Sequence, residues 1–489
     1  MAITVVGLGP ASIDRVDGRT LEILRSAPVV ILRTVRHPAA IELASIRDVV
    51  TCDDLYDDND DFDGVYRGIV DRVLGTANEV DVVYAVPGSP SVGEKTVTLL
   101  VNLGTEAGHV VEVWSASSFL EDVFAAIGLD PITDGAQIVD ARDLPDPLPF
   151  HLPTIVTQVD SMLRASDLAI ALGRTLPDDT EVTVLDRLGD SDQVVRPMSL
   201  ASLATYPGGP RTSVFVPSAD VGVLGLIATN RILRSQCPWD REQTHHTLLT
   251  HLVEEAYEAA DALGNLSVDA PGGDPDFGAY AEVEDELGDV LLQVIFHATL
   301  AAEAGAFDID EVAEINRRKL VRRHPHVFGD VEVADASGVL ANWERIKQDE
   351  KSRSSLMDDI PMGMPGVARA MKVQKRAASV KFDWTDASDV FAVLRGEIDE
   401  LHDAQGDLSA MTDELGDVLF STINLARHLG VDPETALRRS VDRFIERFRL
   451  VEESLASSGG TVAHATVDEL DDAWQAAKRA IMERGTQSP

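Results

Sequence analysis

Eight carboxylates stand in two sets of the same form. The first is Glu255 and Glu258, in Glu254-Glu255-Ala256-Tyr257-Glu258, followed by Glu286 and Asp289, in Glu286-Leu287-Gly288-Asp289. The second is Glu397 and Glu400 followed by Glu414 and Asp417, in Glu414-Leu415-Gly416-Asp417. Residues three apart on a helix share a face, so each set consists of two local pairs. Two such helices side by side would gather four negative groups in a small volume, which is costly unless cations neutralise them. Hard oxygen ligands in this number suit Mg²⁺, with Mn²⁺ as the alternative, ions that keep several waters and bind substrate phosphates. The implied chemistry is metal-assisted attack of water on a polyphosphate, with Glu254 or Glu258 as the carboxylate that accepts the proton.

Acidic pairs at helical spacing are ordinarily solvated faces, and this chain has 83 Asp plus Glu against 42 Lys plus Arg. The flanks point the other way. Leu287, Val290, Leu291, Val294 and Ile295 make the second helix of the first set strongly apolar, as do Leu415, Val418, Leu419 and Ile423 in the other. Part of each Glu-x-x-Asp face is therefore expected to turn inward.

The similarity between the two sets continues downstream, so the half that carries them is read as an all-α unit built by duplication. Lys319 and Arg323 in the first copy correspond to Arg443 and Arg447 in the second, and Trp343 and Lys347 to Trp474 and Lys478. Basic residues four apart can hold one phosphate between them. A Trp one turn from a Lys either stacks on a base or fills core.

At this point the sequence resembles a known family. "CPWDREQTHHTLLTHLVEEAYEAADAL", "EDELGDVLLQVIFHA", "RRKLVRRHPHVFGDV", "NWERIKQDEK" and "KVQKRAASVKFDW" closely resemble MazG, a family of all-α nucleoside triphosphate pyrophosphohydrolases, over about residues 225–485. The resemblance implies conversion of a nucleoside triphosphate and water to a monophosphate and diphosphate. Carried over residue by residue, it makes Glu255, Glu258, Glu286 and Asp289 the Mg²⁺ ligands of the first copy and Glu397, Glu400, Glu414 and Asp417 those of the second. The second copy departs from the pattern. Gly396 stands where the first Glu of EExxE would be, Val393 and Ala410 replace basic residues, and Glu400 to Glu414 spans 14 positions against 28 from Glu258 to Glu286. The first copy is expected to be the main catalytic site, with the second as a further one.

The first part of the chain has another pattern. Ile3-Thr4-Val5-Val6 reads as a short strand ending in Gly7-Leu8-Gly9-Pro10, a helical stretch follows, and Val29-Val30-Ile31-Leu32 is a second strand. Asp81–Val86 is another, ending in Pro87-Gly88-Ser89-Pro90. Strand, Gly-rich turn and helix in succession predict α/β units with a parallel sheet, whose strand-end loops build ligand crevices. With "SASSFLEDVFAAIGLDP", "PTIVTQVDSMLRASDLAIAL" and "TSVFVPS", these loops resemble a two-lobed tetrapyrrole-methylase domain that binds S-adenosylmethionine, over residues 1–220. The resemblance places the methyl donor near Gly7, Gly9 and Pro10, near Gly88, Ser89 and Pro90, and near Ser117 and Ser118. Ala11 stands where that family usually has Gly. The whole order resembles YabN-type fusions, with domains at 1–220, 225–355 and 360–485.

At 489 residues the chain is long enough for three such domains. No stretch is long and apolar enough to span a membrane, and no basic-then-apolar leader is seen, so a cytoplasmic protein that binds no membrane is expected. Cys52 and Cys237 are the only cysteines, which predicts free thiols. A net charge of −41 opposes nucleic-acid binding. The reading is a Mg²⁺-dependent nucleoside triphosphate pyrophosphohydrolase in nucleotide-pool housecleaning, expected as a homodimer and fused to an S-adenosylmethionine-dependent methyltransferase domain. Two alternatives stay open: a small-molecule or tetrapyrrole methyltransferase with a regulatory or assembly MazG module, and a noncatalytic nucleotide sensor.

Overall fold

A computed structural model describes residues 1–57, 61–267, 269–333, 335, 338–339, 342–343, 346, 355–358 and 360–485, the side chains of 482–485 excepted. The chain forms two compact units, residues 1–249 with 291–300, and residues 250–290 with 301–489.

In the first unit the chain runs β1 (Ala2–Gly7), α1 (Gly18–Ser26), β2 (Val29–Leu32), α2 (Pro38–Ile46), β3 (Val50–Thr51), α3 (Phe62–Ala77), β4 (Val82–Val86), α4 (Lys95–Glu106) and β5 (Val110–Val113). The strands form a wholly parallel sheet in the order β3-β2-β4-β1-β5, with Val5 opposite Tyr84. Parallel sheets need both faces covered, which is why these strands are nearly continuous apolar runs. Ile3, Val5, Ile31 and Tyr84 pack on Ile69, Val73 and Leu100 on one face. Val6, Val30, Leu32 and Val83 pack on Leu24 and Leu43 on the other.

The second lobe follows: α5 (Phe119–Ile127), β6 (Gln137–Asp140), β7 (Thr154–Thr157), α6 (Met162–Gly173), β8 (Glu181–Asp186), β9 (Val194–Ser199) and β10 (Thr212–Val216), then α7 (Gly222–Gln236). Its sheet is mixed, in the order β6-β7-β10-β8-β9, with only β6 and β7 parallel. Leu168 and Leu172 of α6 cover one face against Val156, Val182 and Val214. Val123 of α5 covers the other against Ile155 and Leu185. The expected two-lobed α/β domain is present.

The rest is helical: α8 (Leu249–Asn265), α9 (Phe277–Glu303), α10 (Ile309–Arg323), α11 (Gly366–Ser379), α12 (Ala387–Asp403), α13 (Leu408–His428), α14 (Pro433–Ser457) and α15 (Val467–Gly485). A few of the acidic residues serve at helix starts, where a carboxylate accepts orphan N–H groups. Asp308, Asp386, Asp407 and Asp432 cap α10, α12, α13 and α14 in this way.

Each Glu-x-x-Asp face turns inward only in part: Glu286 and Glu414 are half-buried while Asp289 and Asp417 are exposed. Ile295 and Ile423 are buried, but the flanking Leu287, Leu415 and Leu419 remain 48%, 48% and 57% exposed. α9 and α13 carry apolar residues on more than one face, and among the described residues the neighbouring elements cover only part of them.

Candidate metal centre and methyl-donor cleft

α8 and α9 are brought together so that carboxylate oxygens of Glu255, Glu286 and Asp289 all lie within 4.8 Å of one another. Burial raises the Glu255 carboxyl above its usual range, and the charges of Asp289 and Glu258 raise it further. Burial and then Glu258, Asp285 and Asp289 do the same to Glu286. Glu286 Oε2 is enclosed with no hydrogen-bond donor. An enclosed oxygen without a donor, among mutually repelling carboxylates, fits a divalent cation with oxygen ligands. Glu258 stands beside this trio, whereas Glu254 turns toward His251, with Nδ1 to Oε2 at 3.3 Å.

The second copy gathers a different triplet. Oxygens of Glu397, Glu400 and Glu414 lie within 4.8 Å of one another. Burial raises the Glu397 carboxyl, and the charge of Asp417 raises it next. Both copies therefore hold three converging carboxylates with a fourth close by, but the fourth is Glu258 of α8 in one copy and Asp417 of α13 in the other.

These shifts carry a sign that can be measured. A carboxyl whose folded pKa is raised contributes stability that is fully present below its unfolded pKa, about 4.3 for Glu, and lost as pH rises through the folded value. Protonation relieves the clusters at low pH, and a divalent cation, if bound there, would take over that role where the carboxyls are ionised. The gain in Tm on adding Mg²⁺ to chelator-treated protein should therefore grow from pH 5 to pH 8, and Glu255→Gln should reduce that growth. Differential scanning fluorimetry at fixed ionic strength measures it.

The downstream residues separate by copy. Trp343 meets His324 edge-on at 5.0 Å between ring centroids, and the Arg323 guanidinium lies 5.7 Å from the Trp343 ring. Trp474 packs on the buried cluster of Val451, Leu455, Ala473 and Ala477 and lies 5.1 Å from Phe444. Of the two readings of these tryptophans, core filling describes Trp474. Lys319 on α10, Arg447 on α14 and Lys478 on α15 are half-buried, Arg443 is exposed, and Arg447 Nε is enclosed without a partner. Lys347 lies outside the described residues. Sequence reasoning missed Arg438, whose guanidinium lies 5.0 Å from the Tyr257 ring. No spacing rule announces a contact between residues so far apart in the chain.

In the first unit three strand-end loops converge on Gly7. A Cβ there would stand 2.3 Å from Gly88 O, 2.6 Å from Ala116 Cβ and 2.8 Å from Pro90 Cδ. Gly9 and Gly88 exchange backbone hydrogen bonds of 3.1 and 2.9 Å, each at positive φ, +68° and +66°, which glycine adopts without strain. Gly7, Gly9 and Ser117 line an open cleft of about 700 Å³ with Arg15, Arg19 and Trp114. Arg19 stacks 3.7 Å over the Trp114 ring. Pro10 accepts from Arg211 Nη1 at 3.5 Å, and Arg211 is in turn paired with Asp190. Ser89 and Pro90 are buried in their loop. Ser118 is engaged as the N-cap of α5, accepting from Leu120 N at 2.9 Å, while its own N–H donates to Glu121 at 2.9 Å. Ala11 is fully buried, and Gly189 leaves it room, since a Cβ at 189 would stand 3.2 Å from the Ala11 methyl. A cradle that any Cβ would fill, at the carboxyl ends of a parallel sheet, fits close approach of a small ligand to the backbone.

Comparison with known proteins agrees with both halves. The profile described as "MazG nucleotide pyrophosphohydrolase domain" matches residues 243–328 and 386–451, and that of the "Tetrapyrrole (Corrin/Porphyrin) Methylases" matches residues 2–204. The nucleoside triphosphate pyrophosphohydrolase of Escherichia coli K12 is 41% identical over 50% of this chain and 90% of its own length. That of Thermotoga maritima, named a nucleoside triphosphate pyrophosphohydrolase/pyrophosphatase MazG, is 40% identical over 52% of this chain and 94% of its own. A crystal structure of uroporphyrin-III-C-methyltransferase from Thermus thermophilus aligns with a TM-score of 0.36 and 20% identity, covering 47% of this chain and 98% of that one. YabN of Bacillus subtilis is 37% identical over 97% of this chain and 98% of its own length. The chain belongs to the YabN family, in which a tetrapyrrole-methylase-like domain is joined to helical MazG units of the nucleoside triphosphate pyrophosphohydrolase type. Among the described residues no helix is long and apolar enough to cross a membrane.

Proposed function

We propose that the helical half hydrolyses nucleoside triphosphates to monophosphate and diphosphate with Mg²⁺, or Mn²⁺ in its place, at the cluster of Glu255, Glu258, Glu286 and Asp289. The observation that carries this reading is the convergence of three carboxylates from two helices around an enclosed, donorless Glu286 oxygen. When bound, the cation supplies positive charge against the phosphate oxygens and acidifies the attacking water. Glu255, Glu286 and Asp289 hold it between α8 and α9. Glu258, beside the trio, takes the proton from water as its oxygen attacks phosphorus and diphosphate leaves; Glu254, occupied by His251, is placed less well for that step. Lys319 and Arg323 bind phosphate oxygens, and Trp343 offers a ring to the base.

Glu397, Glu400, Glu414 and Asp417 form a second metal centre of the same type, with Arg443, Arg447 and Lys478 as its phosphate-binding set. The exposed apolar faces of α9 and α13 are covered by a second copy of the chain in a homodimer. The role is removal of unwanted nucleotides in the cytoplasm. In the first unit, the cradle around Gly7 and Gly9 takes S-adenosylmethionine, with methyl transfer to a small molecule as the associated activity.

The test is diphosphate release from a panel of standard and altered nucleoside triphosphates, with Mg²⁺ and with chelator, for wild type beside Glu258→Gln. Metal-dependent release of equal amounts of monophosphate and diphosphate, lost in the variant, is expected. No release from any triphosphate would remove the hydrolase reading and leave the sensor and methyltransferase readings standing.

A further inference from the structure

Tyr257 sits among the glutamates of the first copy, yet its cationic neighbour belongs to the second. The Arg438 guanidinium lies 5.0 Å from the Tyr257 ring, while Arg438 Nε donates to Glu434 Oε1 at 3.3 Å, one turn back on α14. α14 is fixed elsewhere, through Val451 and Leu455, which are buried with Ala473 and Ala477 of α15. The cation at Tyr257 is thus delivered by a helix anchored in the other copy.

α8 needs such a tether. Ala259 and Ala262 are its only buried residues among those described, and small methyl groups fix the rotation of a helix weakly. Glu255 is at the same time repelled by Asp289, Glu258 and Glu286. A helix held by little apolar contact and pushed by like charges turns away from its partner unless something opposes the turn. A guanidinium near the aromatic ring does so, through cation–π attraction and through positive charge beside an acidic helix.

We infer that Arg438 is a positioning residue of the first metal centre: acting through Tyr257, it sets the rotation of α8 so that Glu255 faces Glu286 and Asp289. The first centre is then complete only when α14 of the second copy is in place, and the duplicated units form one functional body rather than two independent ones. This rests on the first carboxylate cluster being a metal centre.

The experiment is Mn²⁺ titration of the full-length protein, followed by the paramagnetic resonance signal of free Mn²⁺, for wild type, Glu255→Gln, Arg438→Ala, Arg438→Lys and Tyr257→Leu. The first centre is defined as the Mn²⁺ lost in Glu255→Gln. Its Kd should weaken about tenfold in Arg438→Ala and in Tyr257→Leu and stay near wild type in Arg438→Lys, which keeps the charge over the ring. Unfolding of the metal-free protein should change little, and kcat at saturating metal should be retained while the metal concentration for half-maximal rate rises. Wild-type affinity in Arg438→Ala, with loss in Glu255→Gln, would sink the role of Arg438 and leave the metal centre intact. Equal weakening in the Ala and Lys variants would make Arg438 merely a packing residue and overturn the proposal. If wild type binds no Mn²⁺ that Glu255→Gln removes, the reading of the cluster itself fails.

Discussion

Glu255→Gln and Asp289→Asn should each lower diphosphate release by about 10³-fold at fixed Mg²⁺ while leaving the fold intact. Each removes one negative charge from a converging ligand set but keeps nearly the same shape, so helix packing has no reason to change. The cluster is under internal repulsion without metal, because Glu255 and Glu286 are both held above the usual carboxylate range. Neutralising one member therefore relieves strain as it weakens the site, and the Tm of the metal-free protein should stay level or rise slightly. A stable protein that has lost its activity would be a functional defect, which circular dichroism beside a diphosphate assay separates from misfolding. Glu397→Gln and Glu400→Gln report on the second copy in the same assay. If they abolish release while Glu255→Gln does not, the main centre lies in the second copy. If all four variants lose activity, the two centres act together.

What the sequence made legible was whatever depends on local pattern. Val29–Leu32 and Val82–Val86 could be read as strands because a buried parallel strand must be an apolar run, and the Glu-x-x-Asp pairs could be placed on helix faces because 3.6-residue periodicity dictates it. The carboxylate sets could be found because duplication repeats them in order. What could not be read is set by contacts between distant segments. Ser118 looked like a loop residue near a ligand; its side chain is committed to capping α5, a role its capping-box partner Glu121 three residues on could have announced. Trp343 and Trp474 occupy matching positions, yet one meets His324 and the other a cluster of aliphatic residues, because the segments packed against them differ. The exposure of Leu287 and Leu415 beside half-buried Glu286 and Glu414 has a related reason: apolar periodicity marks a helix face but does not say how far the neighbouring elements cover it.

Gly7→Ala should abolish S-adenosylmethionine binding and destabilise the first lobe, because one methyl group has nowhere to go. Its Cβ would be 2.3 Å from Gly88 O and 2.6 Å from Ala116 Cβ, and the oxygen belongs to backbone that Gly9 and Gly88 lock by reciprocal hydrogen bonds. Relief requires the Gly88 loop to move away from the end of β1, which opens the cradle and breaks those bonds. Overpacking of this kind costs about 1–3 kcal/mol, and the lost backbone pairing adds to it. Gly93→Ala is the control in the same loop system: nothing lies within 4 Å of its Cβ, so at its φ of +70° it should carry only the conformational cost of a left-handed residue and no collision. Calorimetry with S-adenosylmethionine and S-adenosylhomocysteine should show heat for wild type, weakened or retained binding for Gly93→Ala and none for Gly7→Ala. Equal binding in all three would place the ligand away from Gly7 and make the close approach of the three loops a feature of folding alone. Diphosphate release gives the independent readout of the helical half in the same preparations: if it survives in Gly7→Ala, the collision acts on the first lobe and not on the chain as a whole.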